Sequence, residues 1–301
     1  MARYNRLNEY YRKKFGERVL KICVDGNFTC PNRDGKCGVG GCIFCGDAGS
    51  GEHLQSYGSI SQQIENFFHS YKAERANKFI VYFQNFSNTY DMIENLQKKY
   101  DASLIDKRII GIDIATRPDC INREIVELIN NYKKNYYVCV ELGLQTSSDE
   151  TAQIINRGYE TKAFKESVQL LRKYDIDVVT HIMIGLPNET KNDLLNTIQF
   201  INSCDIQGIK IHSTYVIKNT KLAKMLVTGE YMPLSLQQYI ELACFAIANL
   251  NPNIIIHRIS GDAPKKLLIA PEWNSHKKWI LNGVEKFLKE NNMKQGCLLT
   301  I

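Results

Sequence analysis

Short apolar runs, rich in valine and isoleucine, alternate along the chain with segments in which apolar residues recur every three or four positions. The runs predict seven strands, at residues 19–24, 79–84, 109–115, 137–143, 177–184, 208–215 and 253–257. Apolar residues on both faces of a strand are typical of a parallel sheet that is covered by helices. We therefore expect a largely buried parallel sheet.

The segments between the strands predict helices at residues 60–74, 121–132, 164–174, 193–202, 236–250 and 275–290. Ser59 with Gln62, and Ser235 with Gln238, have the spacing of a capping box at a helix start. Regular alternation of strands and helices indicates an α/β fold, either a doubly wound sheet or an open or partial (β/α) barrel. In both folds, functional residues gather at the C-terminal ends of the strands.

Composition limits the class of protein. The chain has 301 residues and is 44% hydrophobic, which allows a large core and argues against disorder. The simplest division is a core of residues 1–250 and a C-terminal extension, residues 251–301, packed on it. Apolar runs are shorter than the roughly 20 residues that span a bilayer, and no secretory signal is evident, so we expect a cytoplasmic protein with no membrane partner. A net charge of +6 permits a nucleic-acid partner without requiring one.

Four cysteines, Cys30, Cys37, Cys42 and Cys45, follow the first predicted strand within sixteen residues. In a cytoplasmic protein such a group indicates metal ligands more than disulfides. Thiolates select zinc, copper(I) or iron–sulfur clusters. All four could close a structural zinc site, whereas three could hold a cluster that leaves one iron open for catalysis. The loop composition leaves both open, and its position after a strand favours an active site.

The cysteine loop resembles that of the radical S-adenosylmethionine superfamily, in which the last two cysteines have the spacing of Cys42 and Cys45 and an aromatic residue precedes the last one. Eleven residues separate Cys30 from Cys42, and this spacing resembles that of one subgroup of the superfamily. The subgroup consists of bacterial proteins that resemble the radical catalytic subunit of Elongator. Two residues depart from the pattern of that subgroup. Tyr159 stands where a histidine is common, and Asn188 stands where a glycine is frequent. Further motifs of the subgroup occur in order at Gln84 and at residues 88–90, 116–119, 141–146, 156–158, 181–187, 261–264 and 268–271.

The resemblance implies a fold, a ligand set and cofactors. The fold would be a partial (β/α)6-type TIM barrel with a C-terminal extension. Cys30, Cys42 and Cys45 would hold a 4Fe–4S cluster, and Cys37 would be a bystander. S-adenosylmethionine would chelate the open iron, and one electron from the cluster would cleave it to a 5′-deoxyadenosyl radical. The reductant would be an electron donor such as flavodoxin or ferredoxin.

The same resemblance implies roles for side chains near strand ends. Gln84 would accept a hydrogen bond from the ammonium group of the methionine moiety, and Arg157 would bind its carboxylate. Asp113 and Gln145 would contact the ribose or the amino-acid part. Without the resemblance, Arg157 could instead pair with Asp149 or Glu160. The full implied cofactor-binding set is Phe44, Gln84, Asp113, Gln145, Arg157, His181 and Met183, of which Phe44, His181 and Met183 would frame the adenine.

Lys210, His212 and Arg258 are predicted to face the substrate; alternatively, Lys210 and His212 are paired inside the barrel. The resemblance implies that the substrate is the wobble uridine of tRNA, whose 5-carboxymethylaminomethyl side chain would become aminomethyl. Two other functions are open at this point. One is a radical S-adenosylmethionine enzyme that acts on a small metabolite or a porphyrin-like substrate. The other is a zinc-stabilised nucleic-acid-binding module without catalysis.

Overall fold

The computed structural model describes residues 2–49 and 58–299. Seven of its strands form one parallel sheet, and two form a separate antiparallel ribbon. The strands are β1 (Val19–Val24), β2 (Lys78–Phe83), β3 (Ile109–Thr116), β4 (Tyr137–Gln145), β5 (Asp177–Ile184), β6 (Gly208–Ser213), β7 (Val216–Ile217), β8 (Ile255–Arg258) and β9 (Leu268–Ala270). The main sheet has the order β1-β2-β3-β4-β5-β6-β8, and β7 pairs with β9. All seven predicted strands are present, and their ends shift by two residues or fewer.

The main sheet curls into a half-barrel with β1 and β8 at its two edges. The curl brings together side chains from strands that are far apart in the sheet order. Lys210 of β6 donates a hydrogen bond to the Tyr82 hydroxyl of β2 at 3.0 Å, and Lys21 of β1 donates to Glu141 of β4 at 2.9 Å. Neighbouring strands lie about 4.8 Å apart, so a flat sheet would hold these pairs well beyond contact. The predicted partial β/α barrel is confirmed, and the doubly wound alternative is wrong.

Helices pack against the outside of the half-barrel and at its ends. Both predicted capping boxes are present, at Ser59 with Gln62 and at Ser235 with Gln238. The helix predicted from residue 60 ends early, at Phe68. The prediction missed α1, α3, α5 and α8, each of nine residues or fewer, because so short a helix buries too few apolar residues to show a period. The helices are α1 (Leu7–Phe15), α2 (Ile60–Phe68), α3 (Ile93–Asp101), α4 (Arg123–Lys133), α5 (Asp149–Ile154), α6 (Thr161–Lys173), α7 (Lys191–Asn202), α8 (Lys221–Thr228), α9 (Leu236–Asn249) and α10 (Lys277–Glu290).

The two faces of the main sheet differ in chemistry. On the outer face, Phe79, Val81 and Phe83 of β2 belong to the main apolar core together with helix residues such as Ile64 and Phe164. The inner face carries charged side chains, which contradicts the expectation of apolar residues on both faces. The reason is the curl, which makes the inner face the wall of a concave space, the lumen, and not a layer packed against helices. The charged wall of the lumen includes Lys21, Asp113, Glu141, His181 and Lys210.

Segments near both chain ends complete the half-barrel. Helix α1 packs against β1 and β8, the two edge strands, and Arg6 just before it bridges to Ile256. Strand β8 follows residue 250 but pairs with β6 in the main sheet. Helix α10 packs on α9 at Gly283, where a side chain would collide with Ile240. The division of the chain at residue 250 stays a prediction. Within residues 2–49 and 58–299, no helix has the length and apolar character needed to cross a bilayer.

Candidate active site

A cavity of about 230 Å³ opens at the C-terminal ends of the strands, between the cysteine loop and the lumen. Cys30, Cys42 and Cys45 line it together. Cys37 lies outside it, with an exposed side chain whose sulfur is 3.9 Å from Asp119 Oδ2. The fold thus separates the four loop cysteines into three that share a cavity and one that faces solvent. Side chains on or just after β2, β4, β5 and β6 complete the wall, among them Gln84, Glu141, Gln145, His181, Met183 and His212.

The cysteine loop is seated on the segment that follows α5. Asn32 Nδ2 donates to the carbonyl of Asn156 at 2.6 Å and lies 3.7 Å from Cys42 Sγ. In return, Asn156 Nδ2 donates to the carbonyl of Gly41 at 2.7 Å. Gly158 has φ +80°, and a Cβ there would be 2.8 Å from Asn32 Oδ1. These contacts fix the loop backbone before Cys42, and the Ile43 N–H, which donates to the carbonyl of Ile155 at 3.1 Å, fixes it after Cys42.

Arg157 is fully buried, and its guanidinium has no free N–H group. Five donors meet five acceptors inside the protein, at distances of 2.6 to 3.1 Å. Because every N–H group is engaged, this arrangement contradicts the predicted contact of Arg157 with a cofactor carboxylate. Arg157 instead pairs with Asp149, which was the alternative predicted without the resemblance. The acceptors belong to Leu144, Thr146, Asp149, Tyr159 and Thr161. Arg157 therefore joins the end of β4 to the segment on which the cysteine loop rests.

Gln145 is held in place at the end of β4. Its backbone has φ +58°, a left-handed conformation that costs a non-glycine residue about 1 kcal/mol. The Tyr159 hydroxyl donates to Gln145 Oε1 at 3.1 Å and also to the carbonyl of Gly143. Tyr159, the position that departs from the subgroup pattern, thus orients a side chain on the cavity wall.

The three cysteines of the cavity supply the ligand set of an iron–sulfur cluster that leaves one iron open. Among the described residues, no three His, Cys, Asp or Glu side chains converge closely enough to hold one ion. In a 4Fe–4S cluster each cysteine binds a different iron, so its thiolates stand apart around a shared space. Cys30, Cys42 and Cys45 line one cavity, but Cys42 and Cys45 are in hydrogen-bond contact, so these two thiols would move apart to bind a cluster. The hydrogen bond between the two thiols lowers the pKa of Cys42, to which Arg117 also contributes, and raises the pKa of Cys45 well above its usual range.

Below the cavity, Glu141 is the hub of a buried network of charges. Its side chain is fully buried and accepts hydrogen bonds from Lys21 at 2.9 Å, from His181 Nε2 at 2.6 Å and from Lys210. Lys21 also pairs with Asp113. An unpaired charge at such a depth would be very costly, so the network exists only because each member has a partner.

Burial and charge shift the proton affinities in this network. Burial raises the pKa of Glu141, but the charges of Lys21 and Lys210 outweigh it and hold that pKa well below its usual range. Burial, with repulsion from Glu141, raises the pKa of Asp113 to about 7. Burial also lowers the pKa of Lys210 to about 8. Burial and the neighbouring cations hold the pKa of His212 well below its usual range, so its imidazole is neutral.

The structure places the predicted site residues in three different settings. Those that line the cavity are Cys30, Cys42, Phe44, Cys45, Gln84, Gln145, Arg157, His181, Met183 and His212. Asp113 and Lys210 lie beneath it in the buried network, which contradicts a direct contact of Asp113 with the cofactor. Arg258 pairs with Asp262 at 3.1 Å on the edge strand β8. Lys210 is paired inside the barrel, as the alternative interpretation of the sequence predicted.

Sequence reasoning missed the hub of the network, Glu141, and its partners Lys21 and Tyr82. A signal was present: Lys21, Tyr82 and Glu141 each interrupt an apolar strand. A charge inside a buried strand needs a partner, so two opposite charges in separate strands predict contact inside the fold. The pattern could not indicate which strands would meet, because that depends on the curl.

Family comparisons agree with this site. A family model described as the Radical SAM superfamily matches residues 33–201, and one described as the Radical SAM C-terminal domain matches residues 206–290. The Bacillus subtilis (strain 168) protein YtqA, described as uncharacterized, is 38% identical over 299 residues, which are 98% of this chain and 92% of YtqA. The Escherichia coli (strain K12) protein YhcC is 32% identical over 287 residues, 95% of this chain and 92% of YhcC.

Elongator proteins are similar over part of their length. Elongator complex protein 3 of Mus musculus is 32% identical over 167 residues, 54% of this chain and 29% of that protein. The solved structure of the archaeal Methanocaldococcus infernus Elp3, with an N-terminal deletion, has a TM-score of 0.69 at 18% identity and covers 92% of this chain and 64% of that one. This chain therefore matches less than a third of the mouse protein. The cysteine cavity and the family matches together establish that the chain belongs to the radical S-adenosylmethionine superfamily of enzymes, which use a 4Fe–4S cluster and S-adenosylmethionine.

Proposed function

We propose that this radical S-adenosylmethionine enzyme acts on the wobble uridine of tRNA and converts its 5-carboxymethylaminomethyl side chain to aminomethyl. The observation that carries the proposal is the similarity to Elongator complex protein 3 over 167 residues, which are 54% of this chain. The cysteine spacing, with eleven residues between Cys30 and Cys42, supports the same relationship. A non-catalytic zinc module is set aside, because the chain belongs to an enzyme superfamily.

The residues of the cavity have distinct tasks in this proposal. When bound, the cluster and S-adenosylmethionine supply a 5′-deoxyadenosyl radical by one-electron cleavage. Cys30, Cys42 and Cys45 would hold the cluster. Gln84, just after β2, and Gln145, at the end of β4, would bind the polar parts of S-adenosylmethionine. The reductant would be a small electron carrier such as flavodoxin or ferredoxin.

Phe44 and Met183 would frame the adenine of S-adenosylmethionine. Both line the cavity and pack against the same small apolar cluster, which includes Ile43 and Leu186. An apolar wall favours an aromatic base and excludes water from the space where a radical forms. His181 also lines the cavity, but its Nε2 is engaged with Glu141, so only its remaining ring edge can meet a bound group.

A lysine-rich ribbon beside the cavity supports an RNA substrate. The ribbon comprises residues 214–221, with β7, and residues 264–271, with β9, and these segments contain no acidic residue. Lys218, Lys221, Lys265 and Lys266 are exposed on it, and the backbone N–H of Lys218 donates to the carbonyl of Leu267 at 2.9 Å. Ile217 of the same ribbon lines the cavity. Clustered lysines attract phosphate groups of nucleic acid through release of bound counterions.

The test compares tRNA nucleosides from cells with and without the gene. Loss of the gene should deplete the aminomethyl side chain and its derivatives and accumulate the carboxymethylaminomethyl form. A plasmid with the wild-type gene or with Cys37→Ser should restore the nucleosides, whereas Cys42→Ser should not. Unchanged wobble uridines would remove the RNA substrate and favour a small metabolite or a porphyrin-like molecule. Formation of 5′-deoxyadenosine by the reconstituted protein with dithionite tests the radical chemistry separately.

A further inference from the structure

The lumen below the cavity has an excess of positive groups on one side. Lys21, Lys210 and Arg258 contribute three cations, and Asp113 and Glu141 contribute two carboxylates within the lumen. Asp262 neutralises Arg258 in part, at 3.1 Å, but also pairs with Lys277 at 3.0 Å outside the lumen. The cations that remain least compensated lie towards β6 and β8, beside the cavity.

The lumen is open to small molecules. Cys23, which lies between Lys21 and the end of β1, is exposed. The charges of Lys210 and Arg258 act on its thiol, so Cys23 lies near both cations. The side chains of His181 and Arg258 are 21% and 26% accessible. β1 and β8 are the two edges of the sheet, and helix α1 packs against both of them. His181 and His212 also line the cysteine cavity, so the lumen and the cavity are continuous.

Unpaired donors remain beside β6, and one buried acceptor of the network, Asp113 Oδ1 on β3, also has no partner in the described structure. Glu141 already accepts from three donors. Lys210 has three N–H groups and donates to Glu141 and to the Tyr82 hydroxyl, which leaves one. His212 Nε2 is buried and has no partner in the described structure. A neutral imidazole can place its proton on Nε2 and donate it into the cavity. The group that would complete this region is an anionic acceptor.

We propose that Lys210, His212 and Arg258 form a subsite for a carboxylate on the substrate, in the lumen beside the cysteine cavity. The subsite rests on the proposed function, since the carboxymethylaminomethyl side chain ends in a carboxylate and the aminomethyl product does not. A carboxylate accepts several charge-assisted hydrogen bonds and suits two cations and an imidazole N–H. The product side chain has lost the carboxylate and keeps only the ammonium group that the substrate also carries, so it makes none of these charge-assisted hydrogen bonds. The subsite therefore selects the substrate and favours release of the product.

The test uses the reactivity of Cys23, which faces the lumen. In reconstituted, anaerobic holoenzyme, the Cys23 thiolate displaces iodide from iodoacetate or from iodoacetamide, and peptide mass spectrometry measures each rate. Exposed Cys297 provides the internal comparison. The subsite should raise the ratio of the iodoacetate rate to the iodoacetamide rate at Cys23 about tenfold or more above that at Cys297, the size of one charge-assisted contact. Acetate should protect Cys23, and methylammonium should not.

Matched variants show which residues cause the preference of Cys23 for iodoacetate. Arg258→Met and His212→Gln should lower the ratio at Cys23 to that at Cys297, whereas Lys218→Met on the ribbon should leave it unchanged. Arg258 is partly exposed on an edge strand, so its replacement should be tolerated, and circular dichroism checks the fold. Equal ratios at Cys23 and Cys297 in the wild type, or no reaction of Cys23 with either reagent, would overturn the subsite.

The outcome also separates the subsite from the proposed function. A preference for iodoacetate with unchanged wobble uridines in the deletion strain would keep the carboxylate subsite and discard tRNA as the substrate. Changed uridines without the preference would keep the function and discard the subsite.

Discussion

Replacement of Glu141 by glutamine tests the central role of the buried network. Glu141 is fully buried and pairs with Lys21, Lys210 and His181. Removing one partner of a buried ion pair costs about 3–5 kcal/mol, because the other charge stays buried. We expect a value of about 3 kcal/mol, at the low end of this range. The reason is that Lys210, with a pKa of about 8, can lose its proton when its partner is removed. Losing that proton at pH 7 costs about 1.4 kcal/mol, which limits the contribution of Lys210 to the loss of stability.

Urea unfolding under anaerobic conditions, followed by far-UV circular dichroism, measures this loss. With a slope of about 3 kcal/mol per molar urea, the midpoint should fall by about 1 M. Glu127→Gln is the matched control, since its exposed pair with Arg123 should contribute less than about 0.5 kcal/mol. In a Lys210→Met background, Glu141→Gln should cost less, because one buried cation is already gone. A midpoint shift no larger than that of Glu127→Gln would refute the reasoning.

Three further predictions concern the loop and the network. Cys37→Ser should keep about four irons per chain after anaerobic reconstitution, and loss of iron in a colorimetric assay would show that the three cavity cysteines are not the complete ligand set. The pKa of Asp113, raised to about 7, lies above that of the unfolded chain, so this group stabilises the fold at low pH and the contribution is lost as pH rises through 7. The stability of Asp113→Asn relative to wild type should therefore increase from pH 5 to pH 8 in urea titrations, and a constant difference would contradict the shift. Gly158→Ala should cost about 1–3 kcal/mol and reduce iron content, because φ is +80° and the new Cβ would meet Asn32; Gly229→Ala, with φ +79° and open space, should show the backbone cost without loss of iron.

The elements of the fold could be predicted where burial leaves a periodic pattern. The strands at residues 19–24 and 177–184 were predicted without error, because both consist largely of apolar residues, many of them β-branched. Helix α3 was missed, since only Leu96 and Tyr100 of its nine residues are buried. The small ribbon of β7 and β9 joins segments about fifty residues apart, and nothing local to either segment specifies that pairing.

Local sequence thus determined the strands, the main helices and the cysteine spacing, since each follows from chemistry within a few neighbouring positions. Tertiary structure decided the rest of the site. It turned Cys37 outward, satisfied all five donors of Arg157 inside the protein, and placed Lys21, Glu141 and Lys210 in contact from β1, β4 and β6. These outcomes depend on how strongly the sheet curls and on which strand ends face each other. Such distances arise only from the packing of the whole half-barrel, and no short stretch of sequence contains them.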